Sequence, residues 1–468
     1  MSEEAAYDVM VIGGGGAGLV AAITAAEAGA SVCLLEAGGR TGGSTALAGG
    51  AFYAGGTAQQ QARGVIDSPD AVYDEVVSRH GPEAATPLLR RICDEAPAAL
   101  AWLTALGVPY TPEGLLSANG RVVPRSHMPT GMGAALIETL DAVLSRESVD
   151  LALRSRVRNL LRDEAGCVTG ARVADSDIRA KAVILATGGY GASPELVERF
   201  LPKAKSVRER VWYTGHAENR GDGIAMAEEA GAEIQGTDSG LLLTTPGFLK
   251  LFEVFVAYWA LLVNDGGERI VHEDGGYWEV AEALESQPNS RGFFIFDQTL
   301  LEAARPHPLV IATGSGPVSW DRGELEAQIG NGRIAKADSL AALAGRIGIG
   351  PAALEHTVVA YNAACAERHD PAFGKLPENL HAIEMAPFYA AEVTPSVLVV
   401  TGGGPTIDAD ARVLDRAGRP IPGLFAAGET VGNVYGPSYI GTGWAIASAI
   451  TMARVAGRLA AAEARATA

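Results

Sequence analysis

Apolar runs that end in glycine predict the strands of a parallel sheet. Residues 8–12 form such a run and lead into a glycine cluster at 13–18, after which residues 19–29 are rich in alanine and free of proline. A second apolar run at 31–36 closes on a glutamate. This order of apolar run, glycine turn, helical stretch and apolar run is typical of a β-α-β unit. The pattern therefore predicts two neighbouring strands of an α/β sheet.

Two later runs repeat the change from apolar strand to glycine. Residues 181–186 lead into Thr187-Gly-Gly189, and residues 423–427 lead into Gly428-Glu429. Glycine at the carboxyl end of a buried strand lets a ligand approach the backbone. Both runs are therefore predicted to join the same sheet, with their carboxyl ends at a ligand site.

A helical stretch is predicted from Ser68-Pro69, a pair that suits a helix N-cap and first turn. Further along it, one apolar face is predicted to be buried core, formed by Leu89, Ile92, Ala96, Leu100 and Leu103. The alanine-rich tail from Ala460 is predicted to fray.

The glycine-turn pattern is interrupted in the middle of the chain. Between about 236 and 381 it gives way to mixed segments with clusters of aromatic residues. We interpret this stretch as a second, α+β domain inserted into the first. The predicted domains are thus a discontinuous α/β domain at 1–235 and 382–468 and an inserted domain at 236–381.

The charge balance disfavours two classes of partner. With 37 basic and 55 acidic residues the net charge is −18, which repels phosphate backbones and anionic lipid surfaces, so no nucleic acid partner is predicted. The longest purely apolar run, 254–263, is shorter than the ~20 residues of a spanning helix, so no transmembrane segment is predicted.

The cysteines and the acidic N-terminal residues predict a cytoplasmic protein. Cys33, Cys93, Cys167 and Cys365 are too far apart for a C-x-x-C pair and too few for a disulfide scaffold, and no metal site is predicted. The acidic residues before the first apolar run lack the features of a signal peptide. Both observations are typical of a reducing compartment.

The glycine cluster contains a dinucleotide-binding motif. Gly13-x-Gly15-x-x-Gly18 stands between a predicted strand and a predicted helix, and Glu36 lies 18 residues after Gly18, close to the ~20 expected of an acid that binds a ribose diol. Backbone amides at the helix start would hold a pyrophosphate, and Glu36 would repel the 2′-phosphate of NADP.

Four blocks of the chain resemble the fumarate reductase and succinate dehydrogenase flavoprotein superfamily: Glu36–Gly50, Ala186-Thr-Gly-Gly189, Arg220-Gly-Asp-Gly223 and Pro422–Glu429. The resemblance implies a Rossmann-like FAD-binding domain with an inserted capping domain that carries substrate contacts. It also implies noncovalent FAD, because Gly43 stands where succinate dehydrogenases carry the histidine that bonds the flavin.

The resemblance and the glycine motif together assign the cofactor site. Val157 would meet the adenine, Asp222 would lie near the flavin, and Glu429 would bind ribityl or ribose hydroxyls. The full predicted set is Gly13, Gly15, Gly16, Ala17, Gly18, Glu36, Ala37, Gly43, Ser44, Thr45, Gly49, Gly50, Val157, Ala186, Thr187, Gly188, Asp222, Gly428, Glu429 and Ala445.

The substrate positions of the superfamily carry different residues in this chain. Two arginines that hold dicarboxylates are replaced by tyrosines: Tyr277, which follows Arg269 by eight residues, and Tyr439. Two histidines are missing, since the matching segments read Leu243-Thr-Thr-Pro246 and Val399-Val400. A carboxylate is held best by the guanidinium fork of arginine, so these exchanges exclude a fumarate or succinate site.

The replacements resemble those of the 3-ketosteroid dehydrogenases of the superfamily. Their C-terminal motif G-P/H-S/T-Y-P-G-x-G is similar to Gly436-Pro-Ser-Tyr-Ile-Gly-Thr-Gly443, apart from Ile440. The early segment Gly42–Tyr53 looks closer to the enzymes that form 4-enes, whereas the C-terminal motif looks closer to those that form 1-enes.

By this resemblance the chemistry is α,β-desaturation of a ketone. A ketone α-proton leaves only if the oxygen is stabilised as it becomes enolate-like. The Tyr439 hydroxyl and the Gly443 amide are the candidate donors to that oxygen, and Tyr277 is the candidate proton acceptor. A tyrosine base needs a lowered pKa or a chain of hydroxyls that carries the proton onward.

Several residues are left unranked by the sequence. Tyr53, Tyr258 and Tyr435 could extend a hydroxyl chain. His127 is more typical of a structural histidine, and Arg125 would matter for a substrate that carries a carboxylate. Trp259 and Phe255 are either core or the roof of an apolar pocket.

The expected function is FAD-dependent dehydrogenation of a cyclic ketone, with a 3-ketosteroid as the leading substrate. A separate electron acceptor, a quinone or an electron carrier, would reoxidise the flavin. The alternatives are a dehydrogenase of a small ring ketone such as 4-oxocyclohexanecarboxylate, an enoate or enone reductase, and a non-enzymatic protein that stores flavin or binds a partner.

Overall fold

The computed structural model describes residues 6–84, 86–117, 123–249, 256–305 and 319–466. Its strands are β1 (Tyr7–Ile12), β2 (Val32–Leu35), β3 (Phe52–Tyr53), β4 (Tyr110–Leu116), β5 (Ser126–Pro129), β6 (Val149–Ala152), β7 (Val157–Arg162), β8 (Val168–Val173), β9 (Ser176–Leu185), β10 (Trp212–Tyr213), β11 (Ile234–Gln235), β12 (Gly240–Thr245), β13 (Leu261–Val263), β14 (Gly292–Asp297), β15 (Ile334–Ala337), β16 (Phe388–Thr401), β17 (Gly404–Pro405), β18 (Arg412–Leu414) and β19 (Pro420–Ala426).

The α-helices are α1 (Gly16–Glu27), α2 (Gly43–Leu47), α3 (Ala58–Ala62), α4 (Pro69–His80), α5 (Pro87–Leu106), α6 (Met132–Leu144), α7 (Pro194–Phe200), α8 (Asp222–Ala230), α9 (Tyr277–Glu285), α10 (Gln298–Ala303), α11 (Arg322–Gly330), α12 (Leu340–Ile347), α13 (Pro351–Glu367) and α14 (Trp444–Ala466). Short 3₁₀ helices cover Pro82–Ala84, Pro202–Arg210 and Pro377–Asn379.

The chain divides into two compact units. The first comprises Met1–Pro202, Gly215–Leu241 and Val399–Ala468, and the second comprises Lys203–Thr214 and Leu242–Leu398. These bounds differ from the predicted 236–381 insertion, chiefly because most of β16 belongs to the second unit. There β16 pairs with β10, β14 and β15, so the second unit extends to residue 398 and includes the short segment 203–214.

The first unit is built on a largely parallel sheet with the strand order β18-β19-β9-β1-β2-β6. Neighbours from β19 to β6 run parallel, and β1 lies between β2 and β9 with Ile12 opposite Leu35 and Leu185. Residues 9–11 of β1 are completely buried, as expected of a strand covered on both faces. All four strands predicted from apolar runs are present in this sheet.

Helix α14 packs along α1 in the core of the first unit. Gly457 allows close contact, because a Cβ there would lie 2.5 Å from the carbonyl oxygen of Ala21. The prediction that the tail from Ala460 frays is wrong, since Ala460, Ala461 and Ala464 are buried and the helix continues to Ala466. The small alanine side chains are enough to keep this end of the helix packed, because the neighbouring helix lies close.

Among the described residues, one helix has the length and composition of a membrane-spanning helix, and it is α14. The search for purely apolar runs missed it because its hydropathy comes mostly from alanine. Of its most apolar window of 18 residues, 61% is buried inside the protein, as in a core helix.

The helical stretch predicted after Ser68 is two helices, α4 and α5. The Ser68 hydroxyl accepts the Ala71 amide as the predicted N-cap, and Gly81, at φ +87°, ends α4. The predicted apolar face lies on α5 and is buried. Beside these helices, β3, β5 and β4 form a small antiparallel sheet.

The second unit has its own core around an antiparallel arrangement of β13, β14, β15 and β16. An ionic network lies inside this unit. Arg269 Nη2 is 2.9 Å from Glu273 Oε2 and Arg269 Nη1 is 2.8 Å from Asp370 Oδ2, while Lys375 Nζ is 3.1 Å from Glu273 Oε2. Burial lowers the pKa of Lys375, so its cationic form depends on these partners.

Candidate active site

The glycine turn after β1 leaves no space for side chains. A Cβ on Gly13, which has φ +107°, would lie 2.3 Å from the Ala186 carbonyl oxygen, and a Cβ on Gly18 would lie 1.7 Å from the Gly13 carbonyl oxygen. Helix α1 begins at Gly16 with Gly15 as its N-cap, and no side chain of the described residues caps it. The first amides of α1 lack partners within the helix, an arrangement that suits a phosphate group.

The segment that begins α2 approaches this turn closely. Gly15 and Gly42 form a bridge, and a Cβ on Gly43 would lie 3.3 Å from the Gly15 Cα. On Gly16 a Cβ would lie 2.6 Å from the Thr45 hydroxyl oxygen. The predicted cofactor residues of 13–18 and 43–45 therefore lie side by side. The two backbone segments can approach this closely only because glycine has no side chain.

Glu36 lies at the end of β2 beside the same turn. Its carboxylate accepts the amide of Gly14 at 2.6 Å and the amide of Gly38 at 2.5 Å. These bonds hold the carboxylate at the edge of the dinucleotide motif, where it can meet a ribose diol. Ala37 follows Glu36 and is half-buried.

The next group of predicted cofactor residues lies at the ends of β9 and β19. The hydroxyls of Thr187 and Thr430 are 3.3 Å apart, and a Cβ on Gly188 would lie 2.5 Å from Asn219 Oδ1. Gly428, at φ +90°, comes close to Ala17, since a Cβ there would lie 2.9 Å from the Ala17 Cβ. The parallel pairing of β9 and β19 brings these two turns together.

Glu429 joins a polar group at this edge of the sheet. Its Oε1 accepts from the Thr401 amide at 2.9 Å and from the Thr401 hydroxyl at 2.8 Å. Asn219 Nδ2 donates to Ser44 Oγ at 3.0 Å and approaches Glu429 Oε2 at 3.5 Å. Burial raises the pKa of Glu429. Sequence reasoning did not find Thr401 or Asn219 as partners of Glu429.

The remaining predicted cofactor residues lie in the same unit. Val157 is the buried first residue of β7, and Asp222, the first residue of α8, pairs with Arg156 at 2.8 Å. Gly49 precedes Gly50, whose Cβ would lie 2.7 Å from the Gly133 amide nitrogen. The glycine cradle, the uncapped start of α1 and the placed Glu36 carboxylate all fit a dinucleotide.

A loop before α14 carries the candidate oxyanion donors, and several elements brace it. His80 Nε2 lies 2.6 Å from the Ser438 carbonyl oxygen, and the Ser126 hydroxyl donates to the Thr442 carbonyl at 2.8 Å. Ser239 Oγ donates to the carbonyls of Tyr435 and Gly436. These contacts hold the loop rigid, which oxyanion stabilisation requires.

Tyr439 and Gly443 occupy the end of this loop, at the start of α14. The Tyr439 hydroxyl oxygen accepts the Ala445 amide proton at 3.1 Å, and Tyr439 is 7% exposed. A phenol that accepts a helix-start amide becomes a stronger donor of its own proton. Gly443 has φ +101°, and a Cβ there would lie 2.7 Å from the Ala51 carbonyl carbon.

Tyr53 lies next to this loop, in β3. Its amide donates to the Gly443 carbonyl at 3.3 Å, and a Cβ on Gly441 would lie 2.8 Å from the Tyr53 ring. The Tyr53 hydroxyl donates to Glu75 Oε2 at 2.9 Å. Sequence reasoning singled out Tyr53 but not Glu75, because a glutamate on an amphipathic helix gives no motif.

Arg125 is occupied by two carboxylates. Its Nε and Nη2 donate to Asp67 in a bidentate pair, each at 2.8 Å, and its Nη1 donates to Glu75. Arg125 is 6% exposed. A guanidinium held in this way is neutralised by the protein itself.

Both ring nitrogens of His127 are used within the protein. Nδ1 lies 3.0 Å from the Phe52 carbonyl oxygen and Nε2 lies 2.8 Å from the Thr57 hydroxyl. Burial lowers the pKa of His127. This environment fits a neutral histidine that joins β3, β5 and α3.

Tyr435 is buried, and burial raises its pKa.

The second unit contains Tyr277, Tyr258 and Trp259. Tyr439 and Gly443 lie on one loop of the first unit, and the catalytic role of Tyr277 stays a prediction. Tyr277 is the first residue of α9, is 8% exposed, and packs edge-on against Trp278. Trp259 packs against Phe296 in the core. Tyr258 is 3.5 Å from Arg305 Nε. Phe255 lies outside the described residues.

Comparison with known proteins gives a consistent result. The family model described as an FAD binding domain matches residues 8–446. The chain is 32% identical over 420 residues to a fumarate reductase (cytochrome) of Shewanella frigidimarina, covering 87% of this chain and 69% of that protein. It is 29% identical over 367 residues to a 4-oxocyclohexanecarboxylate 2-dehydrogenase of Sinomonas cyclohexanicum, covering 70% of this chain and 60% of that protein.

A solved structure matches nearly the full length. The 3-ketosteroid Δ4-(5α)-dehydrogenase from Rhodococcus jostii RHA1, solved in complex with 4-androstene-3,17-dione, superposes with a TM-score of 0.79. The two proteins are 27% identical, and the match covers 98% of each chain.

Proposed function

Since this chain belongs to the FAD binding domain family and is an FAD-dependent oxidoreductase acting on CH–CH or C=C groups, we propose that it desaturates a neutral cyclic ketone. The leading substrate is a 3-ketosteroid, with the new double bond next to the carbonyl.

One observation carries the proposal: an uncharged phenol, Tyr439, occupies a braced loop beside the Gly443 amide. Two neutral donors on one rigid loop suit a carbonyl oxygen that gains negative charge during the reaction. The resemblance to dicarboxylate enzymes places an arginine at this position, which would favour an anionic substrate. A tyrosine at this position therefore favours a substrate whose recognised oxygen is uncharged before the reaction begins.

The chain supplies the acid–base chemistry of the reaction. Hydrogen bonds from Tyr439 and Gly443 polarise the ketone and make the α-proton acidic. Tyr277 accepts that proton as general base, in the role that the resemblance assigns to it. Bound FAD supplies the acceptor for the hydride that leaves the β carbon.

The cofactor would be held by the residues of the first unit. The amides at the start of α1 bind the pyrophosphate, Glu36 binds the ribose, and Glu429 lies among hydroxyl-binding groups. Gly43 at the position of a flavin-linked histidine supports noncovalent binding. Acid precipitation of the holoprotein should therefore release all the yellow colour into the supernatant.

A small ring keto acid is a weaker candidate substrate. It is suggested by the relative that acts on 4-oxocyclohexanecarboxylate. A carboxylate needs a cationic partner in the site, and Arg125 is already neutralised by Asp67 and Glu75. Neutral ketones are therefore favoured over keto acids.

The opposite reaction direction is the second candidate function. The identity to a fumarate reductase favours reduction of a C=C bond that is conjugated with a carbonyl. The same donors on Tyr439 and Gly443 would activate an enone for this reduction. We then expect an enone to be a better substrate than fumarate, because the carboxylates of fumarate need arginine side chains to bind them.

Turnover with a dye as electron acceptor tests the proposal. The substrates are 5α-androstane-3,17-dione, 4-androstene-3,17-dione and 4-oxocyclohexanecarboxylate, and fumarate with reduced dye serves as the competing assay. We expect a product two hydrogens lighter from a neutral ketone, identified by mass spectrometry. Reduction of fumarate without any desaturation of a ketone would reject the proposal.

The proposal also includes an electron acceptor and a cellular location. We expect a separate quinone or electron carrier to reoxidise the flavin. The four cysteines are free thiols, which supports the prediction of a cytoplasmic protein.

A further inference from the structure

The backbone around the Gly443 amide is fixed by hydrogen bonds on either side of it. The Ser126 hydroxyl donates to the Thr442 carbonyl oxygen at 2.8 Å. That carbonyl and the Gly443 amide belong to the same planar peptide group. The next carbonyl, that of Gly443, accepts the amide protons of Tyr53 at 3.3 Å and of Ala447 at 2.9 Å. The Gly443 amide is therefore held between two anchored carbonyls.

The bond from Ser126 also sets the direction of the Gly443 amide. In a trans peptide group the C=O and N–H bonds point in opposite directions. Among the described residues the cis peptide bond is Ala386–Pro387, so the Thr442–Gly443 peptide group is trans. Because its carbonyl oxygen is directed at Ser126, the Gly443 N–H points away from Ser126. One hydroxyl thus determines where this candidate oxyanion donor points.

The same bond makes the Gly443 amide a stronger donor. A hydrogen bond accepted by a peptide carbonyl draws electron density towards the oxygen and leaves the N–H of that group more positive. Hydrogen bonds linked in this way strengthen one another by roughly 10–30% per bond. Ser126 is 3% exposed, so water competes little with its hydroxyl for the Thr442 carbonyl. The burial of Ser126 therefore preserves the effect on Gly443.

Ser126 is itself held in place by the small antiparallel sheet. It lies in β5, where it pairs with Tyr53 of β3 and Leu116 of β4. The next residue, His127, bonds β5 to β3, since its Nδ1 lies 3.0 Å from the Phe52 carbonyl oxygen. A hydroxyl on such a strand needs little reorganisation to keep its bond to the loop during a reaction.

We propose that Ser126 is a positioning residue that directs the Gly443 amide to the ketone oxygen and strengthens it as a donor. This inference rests on the proposed function, in which Gly443 is one of two donors to that oxygen. Ser126 acts through the peptide group and needs no contact with the substrate. The other donor, Tyr439, has a separate partner in the Ala445 amide, so the two donors are adjusted independently.

The infrared frequency of the bound ketone carbonyl measures this effect directly. A hydrogen bond to a carbonyl oxygen weakens the C=O bond and lowers its stretching frequency. The probe is 5α-androstane-3,17-dione labelled with ¹³C at C3, because the label separates the C3 band from the C17 band. It is added to holoenzyme whose FAD has been reduced beforehand, so that no hydride can be transferred during the measurement.

Three substitutions of Ser126 vary the strength of its hydrogen bond. Ser126→Ala removes the donor, Ser126→Cys keeps the side-chain volume with a weaker donor, and Ser126→Thr keeps the hydroxyl. We expect the ¹³C band to move to higher frequency in the alanine and cysteine variants, and kcat to fall roughly 10-fold. The threonine variant should lie close to the wild type in both. The cysteine variant leaves no cavity, so it decides the test if the alanine variant does not fold.

Ser239→Ala is the matched control for the rigidity of the loop. The Ser239 hydroxyl donates to two other carbonyls of the loop, those of Tyr435 and Gly436. Its removal takes away a brace of the same kind but leaves the bond to the Thr442–Gly443 peptide group in place. We therefore expect the ¹³C band of this variant to stay at the wild-type frequency.

The outcomes separate the positioning role from the proposed function. A band that is lowered in the wild type and stays as low in Ser126→Ala and Ser126→Cys would reject the role and leave the proposed function intact. An equal upward shift in Ser239→Ala would also reject it, because Ser126 would then only stiffen the loop. A wild-type protein that neither binds nor desaturates any ketone would instead reject the proposed function.

Discussion

The Tyr439 oxygen accepts the Ala445 amide proton at the first turn of α14, while bonds from His80, Ser126 and Ser239 fix the loop that carries it. A donor held in this way needs little reorganisation when charge develops on the substrate oxygen. In the proposed reaction, the Tyr439 hydroxyl is therefore a donor whose surroundings are already rigid. Removing that hydroxyl should affect catalysis and little else.

Tyr439→Phe should lower kcat by about 100-fold or more, in the range seen when one oxyanion donor is removed. FAD content should stay nearly unchanged, because Tyr439 contacts the predicted cofactor residue Ala445 through a single hydrogen bond and the other predicted cofactor residues lie on other segments. Steady-state kinetics with a ketone and flavin absorbance of the purified protein measure the two quantities. Tyr7→Phe, which removes a hydroxyl bonded to Asp150 at 2.7 Å, is the control and should keep full activity. Equal losses of FAD and activity would show that Tyr439 only packs the loop.

Sequence reasoning singled out residues that stand in motifs and missed the partners that are bonded to them. Glu36 and Tyr439 were found because spacing and resemblance mark them. Glu75, Thr401 and Asn219 were missed, because a carboxylate, a hydroxyl and an amide in ordinary segments acquire their role only through the fold. Arg125 was noticed, but its two carboxylate partners were visible only in three dimensions.

The strand, turn and helix formed by β1, residues 13–15 and α1 are the element best predicted by the sequence. Apolar periodicity and glycine spacing determine this element locally. The sequence did not predict that the helical stretch divides at Gly81, nor that α14 stays helical to Ala466. Both features depend on packing against neighbouring elements.

Gly18→Ala should abolish FAD binding and destabilise the first unit. The new Cβ would meet the Gly13 carbonyl oxygen at 1.7 Å, so the turn of the proposed pyrophosphate site must open. Flavin content and thermal unfolding measure the effect. Gly345→Ala, in α12, is the control, because its Cβ meets no atom within 4 Å and alanine favours a helix interior by about 1 kcal/mol. A Gly18→Ala protein that binds FAD normally would contradict the proposed cofactor site.

Over the whole chain, the predicted site residues are divided between two units with separate cores. The sequence predicted a discontinuous first domain, but the bounds moved from 236–381 to 203–214 and 242–398 because β16 pairs mainly within the second unit. Strand pairing over such separations in sequence leaves no local signal. Lys375 and Asp370, the partners of the buried Arg269–Glu273 pair, likewise became visible only in the fold.

Lys375→Met should destabilise the second unit by about 3–5 kcal/mol, the usual cost of leaving a buried charge without its partner. Glu273 would lose one of its two cationic partners inside the core. Hydrogen exchange of the β13 and β14 amides reports on this unit directly. Lys205→Met, at an exposed position, should leave that exchange unchanged. Unchanged protection in Lys375→Met would show that the network contributes little.

The most direct test of the central claim is anaerobic titration of the oxidised holoprotein with a neutral ketosteroid. The main visible absorption band of the flavin should disappear with one equivalent of ketone, because desaturation delivers two electrons to each FAD. Fumarate added to the reduced protein should restore this band slowly or not at all. A band that no ketone bleaches and that fumarate restores rapidly would contradict the account.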